Sequence, residues 1–214
     1  MPKTETEAVQ ILAAWLSPAY PVGAYSYSHG LEWAIEAGDV ATPAALEAWV
    51  ADLLAHGAGR SDAILLRAAH AAPDPAPVAE LAAALAPSAE RLLETTQQGA
   101  AFARVTAAAW GVALDPAPYP VALGRAARLM DLPVDLTATL FVQAFAANIV
   151  SAGVRLIPIG QTDGQRITAA LMPLAARVAA ETAGLALDDL GGSAARADIA
   201  AMLHETQRTR LYRS

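Results

Sequence analysis

The stretch LTATLFVQAFAANIVSAGV, residues Leu136–Val154, places nineteen consecutive uncharged residues between Asp135 and Arg155. A helix of that length is long enough to cross a bilayer. However, five of its residues are alanine, and Thr, Gln, Asn and Ser side chains interrupt the apolar run. A helix that is packed on all sides within a protein has the same pattern. We therefore interpret this stretch as a buried central helix, and we expect no membrane span.

The composition of the whole chain also favours helices. Alanine accounts for 55 of the 214 residues, and it has the highest helix propensity of any residue. Hydrophobic residues make up 55% of the chain, which argues against disorder. A chain of this length fits one domain. The sequence predicts an all-α protein, with a single-domain bundle of about nine or ten helices over residues 1–214.

Proline and glycine residues mark where the predicted helices begin and end. Thr42 followed by Pro43 is typical of a helix start, because a Thr side chain caps the first turn and proline suits the first helical position. The proline-rich stretches at residues 73–77 and 115–120 predict loops. We expect helices over residues 5–16, 28–37, 42–56, 61–72, 78–86, 88–110, 121–130, 135–156, 163–182 and 194–206, with Pro173 marking a kink or a boundary.

The sequence lacks the patterns that mark common catalytic and nucleotide-binding sites. It holds no GxxxxGK[ST], GxGxxG, GxSxG or HExxH motif, so it shows no P-loop and no familiar hydrolase or metalloprotease site. It has no cysteine, which excludes disulfides and thiolate metal sites. The four histidines are widely separated (His29, His56, His70 and His204). We therefore predict neither a catalytic centre nor a metal site within this chain.

The charged residues point to a solvated acidic surface. The net charge of −7 argues against binding to nucleic acid. Glu32 and Glu36 lie four residues apart on one face of a predicted helix, and we interpret them as a solvent-facing pair. The N-terminal sequence MPKTETEAVQ has no charged-then-apolar leader, so we expect a cytoplasmic location.

A tyrosine-rich segment, SPAYPVGAYSYSHG at residues 17–30, is more irregular than a helical bundle requires. Tyrosine combines a rigid apolar ring with a hydroxyl, which suits a recognition surface. The alternative is a loop that only packs on the core. The candidate partner-binding residues here are Tyr25, Ser26, Tyr27, Ser28 and His29.

A second segment, RLIPIGQTDGQ at residues 155–165, follows directly on the apolar helix. Its polar, glycine-flanked turn includes Gln161 and Asp163, and a rigid scaffold supports such a turn well as a contact surface. The alternative is a plain helix–helix connection in which Asp163 caps the next helix. Arg155 has two alternatives as well, a partner contact or a cap on the last carbonyls of its own helix.

The third segment is the C-terminal stretch from Gln207 to Ser214, which we call the tail. Arginine alternates there with Leu211 and Tyr212, and such a segment either orders on an acidic partner or stays solvated. We expect the tail and the first residues, about 1–5, to be mobile in the free protein.

Together the three segments resemble the urease accessory protein UreF family. The motifs that carry the resemblance are SPAYPVGAYSYSHGLE, NIVSAGVRLIPIGQTDGQ and HETQRTRLYRS. They occur in the family's order and extend over nearly the whole chain. The resemblance implies a non-enzymatic, all-α homodimer that works with the UreD (UreH) protein and the GTPase UreG. That complex docks on apo-urease and delivers nickel, so nickel and GTP are handled by the complex and no cofactor is assigned to this chain.

The resemblance also implies roles for individual residues. Arg210, Leu211 and Tyr212 would order on the UreD-type partner. The stretch from Tyr25 to Ser28 would lie near the tail and help to recruit UreG, with a hydrogen bond between Tyr25 and Arg210 as our hypothesised pair. The alternative function is an all-helical enzyme or ligand-binding protein whose site forms only in three dimensions.

Overall fold

The computed structural model describes residues 3–214, and within that range the chain is helical without a strand. The all-α prediction is therefore confirmed. Short 3₁₀ turns join some of the helices. The α-helices are α1 (Glu5–Trp15), α2 (Leu31–Glu36), α3 (Pro43–His56), α4 (Ala58–Ala71), α5 (Ala76–Ala84), α6 (Ala89–Trp110), α7 (Tyr119–Leu129), α8 (Val134–Leu156), α9 (Gln161–Glu181) and α10 (Ala195–His204).

Helix α8 lies at the centre of the bundle, as the uncharged stretch predicted. It packs against α9 on one side and against α3, α4 and α2 on the others. By length and composition alone, it is the one helix among residues 3–214 that qualifies for a membrane crossing, and half of its most apolar window is buried inside the protein. Its exposed positions are Asp135, Ser151 and Arg155. This burial fits a core helix.

An aromatic cluster fixes α1 and the tyrosine-rich segment on the bundle. Trp15 packs edge-on against Phe102 and Trp110 of α6, with ring centroids 5.4 and 5.8 Å apart. Tyr20 also contacts Phe102, and its hydroxyl lies 2.8 Å from the Thr106 hydroxyl. These contacts fix the end of α1 and the start of the tyrosine-rich segment against α6.

Helices α4 and α7 cross with their backbones in contact. A Cβ atom at Gly124 would lie 2.2 Å from the carbonyl oxygen of Leu66, a separation that no side chain tolerates. Glycine is therefore required at this crossing, because only its missing side chain allows the two helices to approach so closely.

The ends of several helices follow the sequence signals, and one does not. The Thr42 side chain accepts the Ala45 N–H, as expected for the cap of α3. Helix α9, by contrast, begins at Gln161, so Asp163 lies in its first turn rather than at the cap. Gly160 is the capping residue, and the predicted cap at Asp163 is wrong. Pro173 lies inside a continuous α9, so it does not mark a boundary.

The predicted mobile N-terminus, about residues 1–5, lies partly outside the described residues. Within them, Thr4 and Glu7 form a capping box that starts α1. The tail also has a defined place against α2 and α6, which is described next. The expectation of a mobile tail in the free protein competes with this docked placement, and the thiol-reactivity measurement proposed below distinguishes the two.

Candidate partner-binding site

The tail and the tyrosine-rich segment lie side by side, although about 190 residues separate them. The Ser28 N–H donates to the carbonyl oxygen of Ser214 at 2.7 Å, and the Arg213 N–H donates to the carbonyl oxygen of Ser26 at 2.8 Å. The Ser28 hydroxyl donates to the same Ser214 oxygen. Backbone pairing of this kind fixes the tail along residues 26–28, as the family resemblance led us to expect.

Arg155, at the end of α8, brings the second predicted segment into the same site. Its Nη1 donates to the carbonyl oxygen of Tyr25 at 3.3 Å, and its guanidinium carbon lies 5.2 Å from the centre of the Tyr212 ring. Its Nε donates to the Ser151 carbonyl at 3.2 Å. Arg155 therefore joins the tyrosine-rich segment to the tail, whereas its bond within α8 goes to Ser151 and leaves the last carbonyls of the helix uncapped by this side chain.

Glu32 holds the tail by its backbone. The N–H of Leu211 donates to Oε1 at 2.7 Å, and the N–H of Tyr212 donates to Oε2 at 2.8 Å. Glu32 is only 6% exposed, and a buried carboxylate is costly unless donors surround it. The interpretation of Glu32 as a solvent-facing residue is thus wrong, whereas Glu36 is exposed.

His204, the last residue of α10, completes this arrangement. It is fully buried, with Nε2 3.2 Å from Glu32 Oε2 and Nδ1 2.6 Å from Glu90 Oε2. The side chain of Arg210 donates to the other oxygen of Glu90. Two carboxylates, one imidazole and one guanidinium therefore link α2, α6, α10 and the tail.

The hypothesised hydrogen bond between Tyr25 and Arg210 is not formed in this structure, because Arg210 pairs with Glu90 instead. Tyr25 contributes its carbonyl oxygen to Arg155, while its ring is 65% exposed. A hydroxyl–guanidinium pair was plausible from residue types, but the sequence did not reveal a carboxylate on α6.

A second buried polar cluster lies beneath the end of the tail. His29 Nε2 is 3.1 Å from Glu94 Oε1 and 3.0 Å from Arg91 Nη1, and Arg91 also pairs directly with Glu94. The Ser214 hydroxyl donates to Glu94 Oε2 at 2.8 Å. The cluster therefore ties the end of the tail to α6 through Arg91 and Glu94, which the sequence analysis did not select, together with the candidate residue His29.

Burial and charge act in opposite directions on this cluster. Burial raises the pKa of Glu94, but the charge of Arg91 and the hydrogen bonds from His29 and Arg91 outweigh it and lower that pKa to about 2. Burial and the Arg91 charge both lower the pKa of His29. Glu94 is consequently a permanent anion at neutral pH, and His29 is held neutral beside it.

His29 also occupies a strained position. Its φ is +54°, in the left-handed region that non-glycine residues rarely adopt. Gly30 follows with φ +74°, and a Cβ there would lie 2.6 Å from the backbone nitrogen of Ala201. This tight turn sets α2 directly against α10, which brings Glu32 to His204.

Two cavities meet at the same cluster. One, of about 260 Å³, lies beside α4 and α10, and the other, of about 220 Å³, lies under the tyrosine-rich segment. Burial raises the pKa of Asp62, on their common wall, to about 6, although Arg91 reduces the effect. The lining residues that both cavities share are His29, Asp62, Arg91, Thr95 and Pro120.

Gln161 and Asp163 are not brought into this site by any contact of their own. Gln161 is exposed at the start of α9. Asp163 pairs with Arg166 at 2.7 Å, one turn further along the same helix. Over the part of the chain that the structure describes, no set of three His, Asp or Glu side chains is arranged to hold a metal ion.

The sequence analysis missed Glu32, Glu90, Glu94, Arg91 and His204. Two of them were within reach, since Glu32 ends the motif SPAYPVGAYSYSHGLE and His204 begins HETQRTRLYRS. On α6, Arg91 and Glu94 have the i, i+3 spacing of an ion pair, but nothing in the sequence shows that His29, His204 and the tail meet the charged residues of this helix.

Together, the fold and the site define an all-helical protein whose buried polar groups organise a segment on its surface. A family model described as UreF matches residues 40–172. The urease accessory protein UreF of Cereibacter sphaeroides (strain KD131 / KCTC 12085) is 56% identical over 207 residues, covering 97% of this chain and 99% of the relative. The chain belongs to the UreF family of urease accessory proteins.

Two further relatives bear the same name. The UreF of Roseobacter denitrificans is 50% identical and the alignment covers 98% of this chain and 95% of the relative. That of Rhodopseudomonas palustris (strain HaA2) is 49% identical, with 95% and 92% covered. The family model does not extend over the tyrosine-rich segment or the tail, but these alignments span nearly the whole chain.

Proposed function

We propose that this chain is a non-enzymatic scaffold that bridges the UreD (UreH) protein and the GTPase UreG in the cytoplasmic complex that inserts nickel into apo-urease. The observation that carries the proposal is the convergence of the tail, the tyrosine-rich segment and Arg155 on one site. Family membership supplies the setting in urease maturation. The polar groups of the site are occupied in holding surface segments, which is what a scaffold requires.

The exposed residues of the site suit protein binding. Leu211 is 78% exposed and Tyr25 is 65% exposed, while their neighbours Tyr212 and Tyr27 are buried. Exposed apolar side chains on a rigid base are typical anchors of an interface. We assign the tail with Arg210, Leu211 and Tyr212 to the UreD-type partner, and residues 25–28 to UreG.

The remaining parts of the proposal concern stoichiometry and chemistry. The chain acts as a homodimer, so that the complex holds two copies of each accessory protein. Nickel and GTP are handled by the complex, and UreG supplies GTP hydrolysis, which the scaffold modulates. The family resemblance supports these assignments.

The test is co-purification with the UreD-type and UreG-type proteins of the same organism, followed by size-exclusion chromatography with light scattering. We compare the natural chain with Leu211→Glu, and use Leu129→Glu as the control, since Leu129 is also an exposed leucine but lies at the end of α7. The expected result is a complex with the natural chain and the control, and at least a tenfold weaker one with Leu211→Glu.

Each other outcome contradicts a stated part of the proposal. Equal association of both variants would remove the tail from the interface. Failure of the natural chain to associate would contradict the scaffold function, and would favour a ligand bound in one of the two cavities.

A further inference from the structure

We propose that Glu32 is the positioning residue of the partner-binding surface: its carboxylate fixes the backbone of the tail and thereby decides which tail side chains face outward. The placement of the tail rests on this chain's own contacts. Only its consequence for partner binding rests on the proposed function.

The contact geometry supports a positioning role. The two oxygens of Glu32 accept the N–H groups of two consecutive residues, Leu211 and Tyr212. Two bonds to one planar carboxylate fix both the position and the rotation of that backbone segment. As a result Tyr212 is only 7% exposed whereas Leu211 is 78% exposed, so the register separates an inward anchor from an outward contact residue.

Glu32 is itself held in place from two sides. His204 Nε2 lies 3.2 Å from its Oε2, and the fully buried ring cannot move without displacing α10. The Glu32 N–H donates at 3.3 Å to the Ser28 hydroxyl, which in turn donates to the Ser214 carbonyl. Glu32 thus supports the middle of the docked tail directly and the end of the tail through Ser28.

The docked tail contributes both to the burial of Glu32 and to its hydrogen bonding. Glu32 is only 6% exposed with the tail in place, and the two N–H donors of the tail take the place of water at its oxygens. A buried carboxylate is tolerated only when donors surround it. Docking is therefore compatible with an ionised Glu32 because the tail supplies the donors that its burial requires.

Glu36 provides a matched comparison. It lies one turn further along the same face of α2 and is exposed. Its carboxylate accepts only from the Gln207 side chain, and it touches no tail backbone. Substitution of Glu36 removes the same charge from the same helix but affects only the side-chain contact with Gln207, so we expect residues 211–214 to stay docked.

The experiment uses the natural absence of cysteine. Because the chain has none, Ser214→Cys introduces a single thiol at a position that is fully buried when the tail is docked. We measure its rate of reaction with a disulfide reagent in the folded full-length chain and in urea. Docking predicts a rate at least tenfold slower in the folded chain.

The second substitution tests Glu32. In the Ser214→Cys background, Glu32→Gln is expected to raise the thiol reaction rate about tenfold, while Glu36→Gln changes it less than twofold. Glu32→Asp, which keeps the charge but withdraws the carboxylate, is expected to give an intermediate rate and guards against misfolding of the Gln variant. Hydrogen exchange provides a second measurement without the introduced cysteine. The Leu211 and Tyr212 amides must exchange faster in Glu32→Gln than in the natural chain.

Three outcomes would overturn the proposal. These are a folded-state rate equal to the rate in urea, equal rates for the Glu32 and Glu36 variants, or a faster rate only where circular dichroism shows global unfolding. All of these measurements are made without partners. If Glu32→Gln releases the tail and the complex still assembles normally, the positioning role stands and the proposed use of the tail fails.

Discussion

His204 Nε2 lies 3.2 Å from Glu32 Oε2, although 172 residues separate the two along the chain. This contact joins α2 to the end of α10, from which the tail starts. The tail then returns to the same carboxylate, because the N–H groups of Leu211 and Tyr212 donate to Glu32. The energetic importance of this pair can be measured directly.

Replacement of His204 should destabilise the protein. His204→Ala removes the group between two carboxylates, Glu32 and Glu90, and leaves a cavity at a fully buried position. We expect the free energy of unfolding to fall by about 2–4 kcal/mol, measured by urea denaturation. His56→Ala is the control, because His56 is exposed and should cost less than about 0.5 kcal/mol. Equal losses would mean that the buried network contributes nothing specific.

Asp62 should make the protein less stable as the pH rises. Burial raises its folded-state pKa from 3.8 to about 6, so the folded state binds more protons than the unfolded state between those values. The unfolding free energy therefore falls across that interval as pH increases. Asp62→Asn removes the effect and should stabilise the protein at pH 7.5 by on the order of 1–2 kcal/mol.

The gain from Asp62→Asn should disappear near pH 4, where the natural carboxyl is protonated in the folded state. Asp188→Asn serves as the comparison, since Asp188 is exposed and should show no such pH dependence. Urea denaturation at both pH values decides the matter. A gain that is independent of pH would contradict the assigned cause.

Two glycines with positive φ should respond differently to alanine. Gly23 has φ +78° with open space around its missing side chain, whereas a Cβ at Gly30 would lie 2.6 Å from the Ala201 nitrogen. Gly23→Ala should therefore cost about 1–2 kcal/mol from backbone strain alone. Gly30→Ala should cost at least about 3 kcal/mol, because α2 must also move away from α10. Similar losses in thermal unfolding would argue against the tight contact of these helices.

Two buried tyrosine hydroxyls should also differ. The Tyr27 hydroxyl donates to Gln97 Oε1 at 2.9 Å, so Tyr27→Phe should cost about 1 kcal/mol. The Tyr212 hydroxyl is buried and has no hydrogen-bond partner among the described residues. Tyr212→Phe should consequently be neutral or slightly stabilising. A large loss at Tyr212 would contradict the view that its ring, rather than its hydroxyl, anchors the tail.

The sequence predicted the helices well because alanine content, proline positions and apolar periodicity are local properties. The uncharged stretch around Phe141 identified α8, and Thr42 identified the start of α3. Asp163 was misassigned because Gly160 caps α9 through its backbone, which residue types do not reveal. Local patterns thus gave the elements, but not the details of their ends.

The site was predicted only as three separate segments. That residues 25–28 and the tail adjoin came from the family resemblance rather than from their composition. The groups that hold them, Glu32, Glu90 and Glu94, were invisible as a site because each pairs across more than a hundred residues. From the sequence alone, a carboxylate on a short helix is interpreted as solvent-facing, because the distant N–H groups that bind it are not known.

The placement of α8 has a consequence for the synthesis of the protein on the ribosome. This helix is synthesised before α9, which covers one of its sides, while α3 and α4 are already available to cover the others. For that interval, the nascent chain carries a partly uncovered helix with the length and hydropathy of a membrane anchor. The burial of α8 is completed only when the twenty-one residues of α9 have been synthesised and have packed against it.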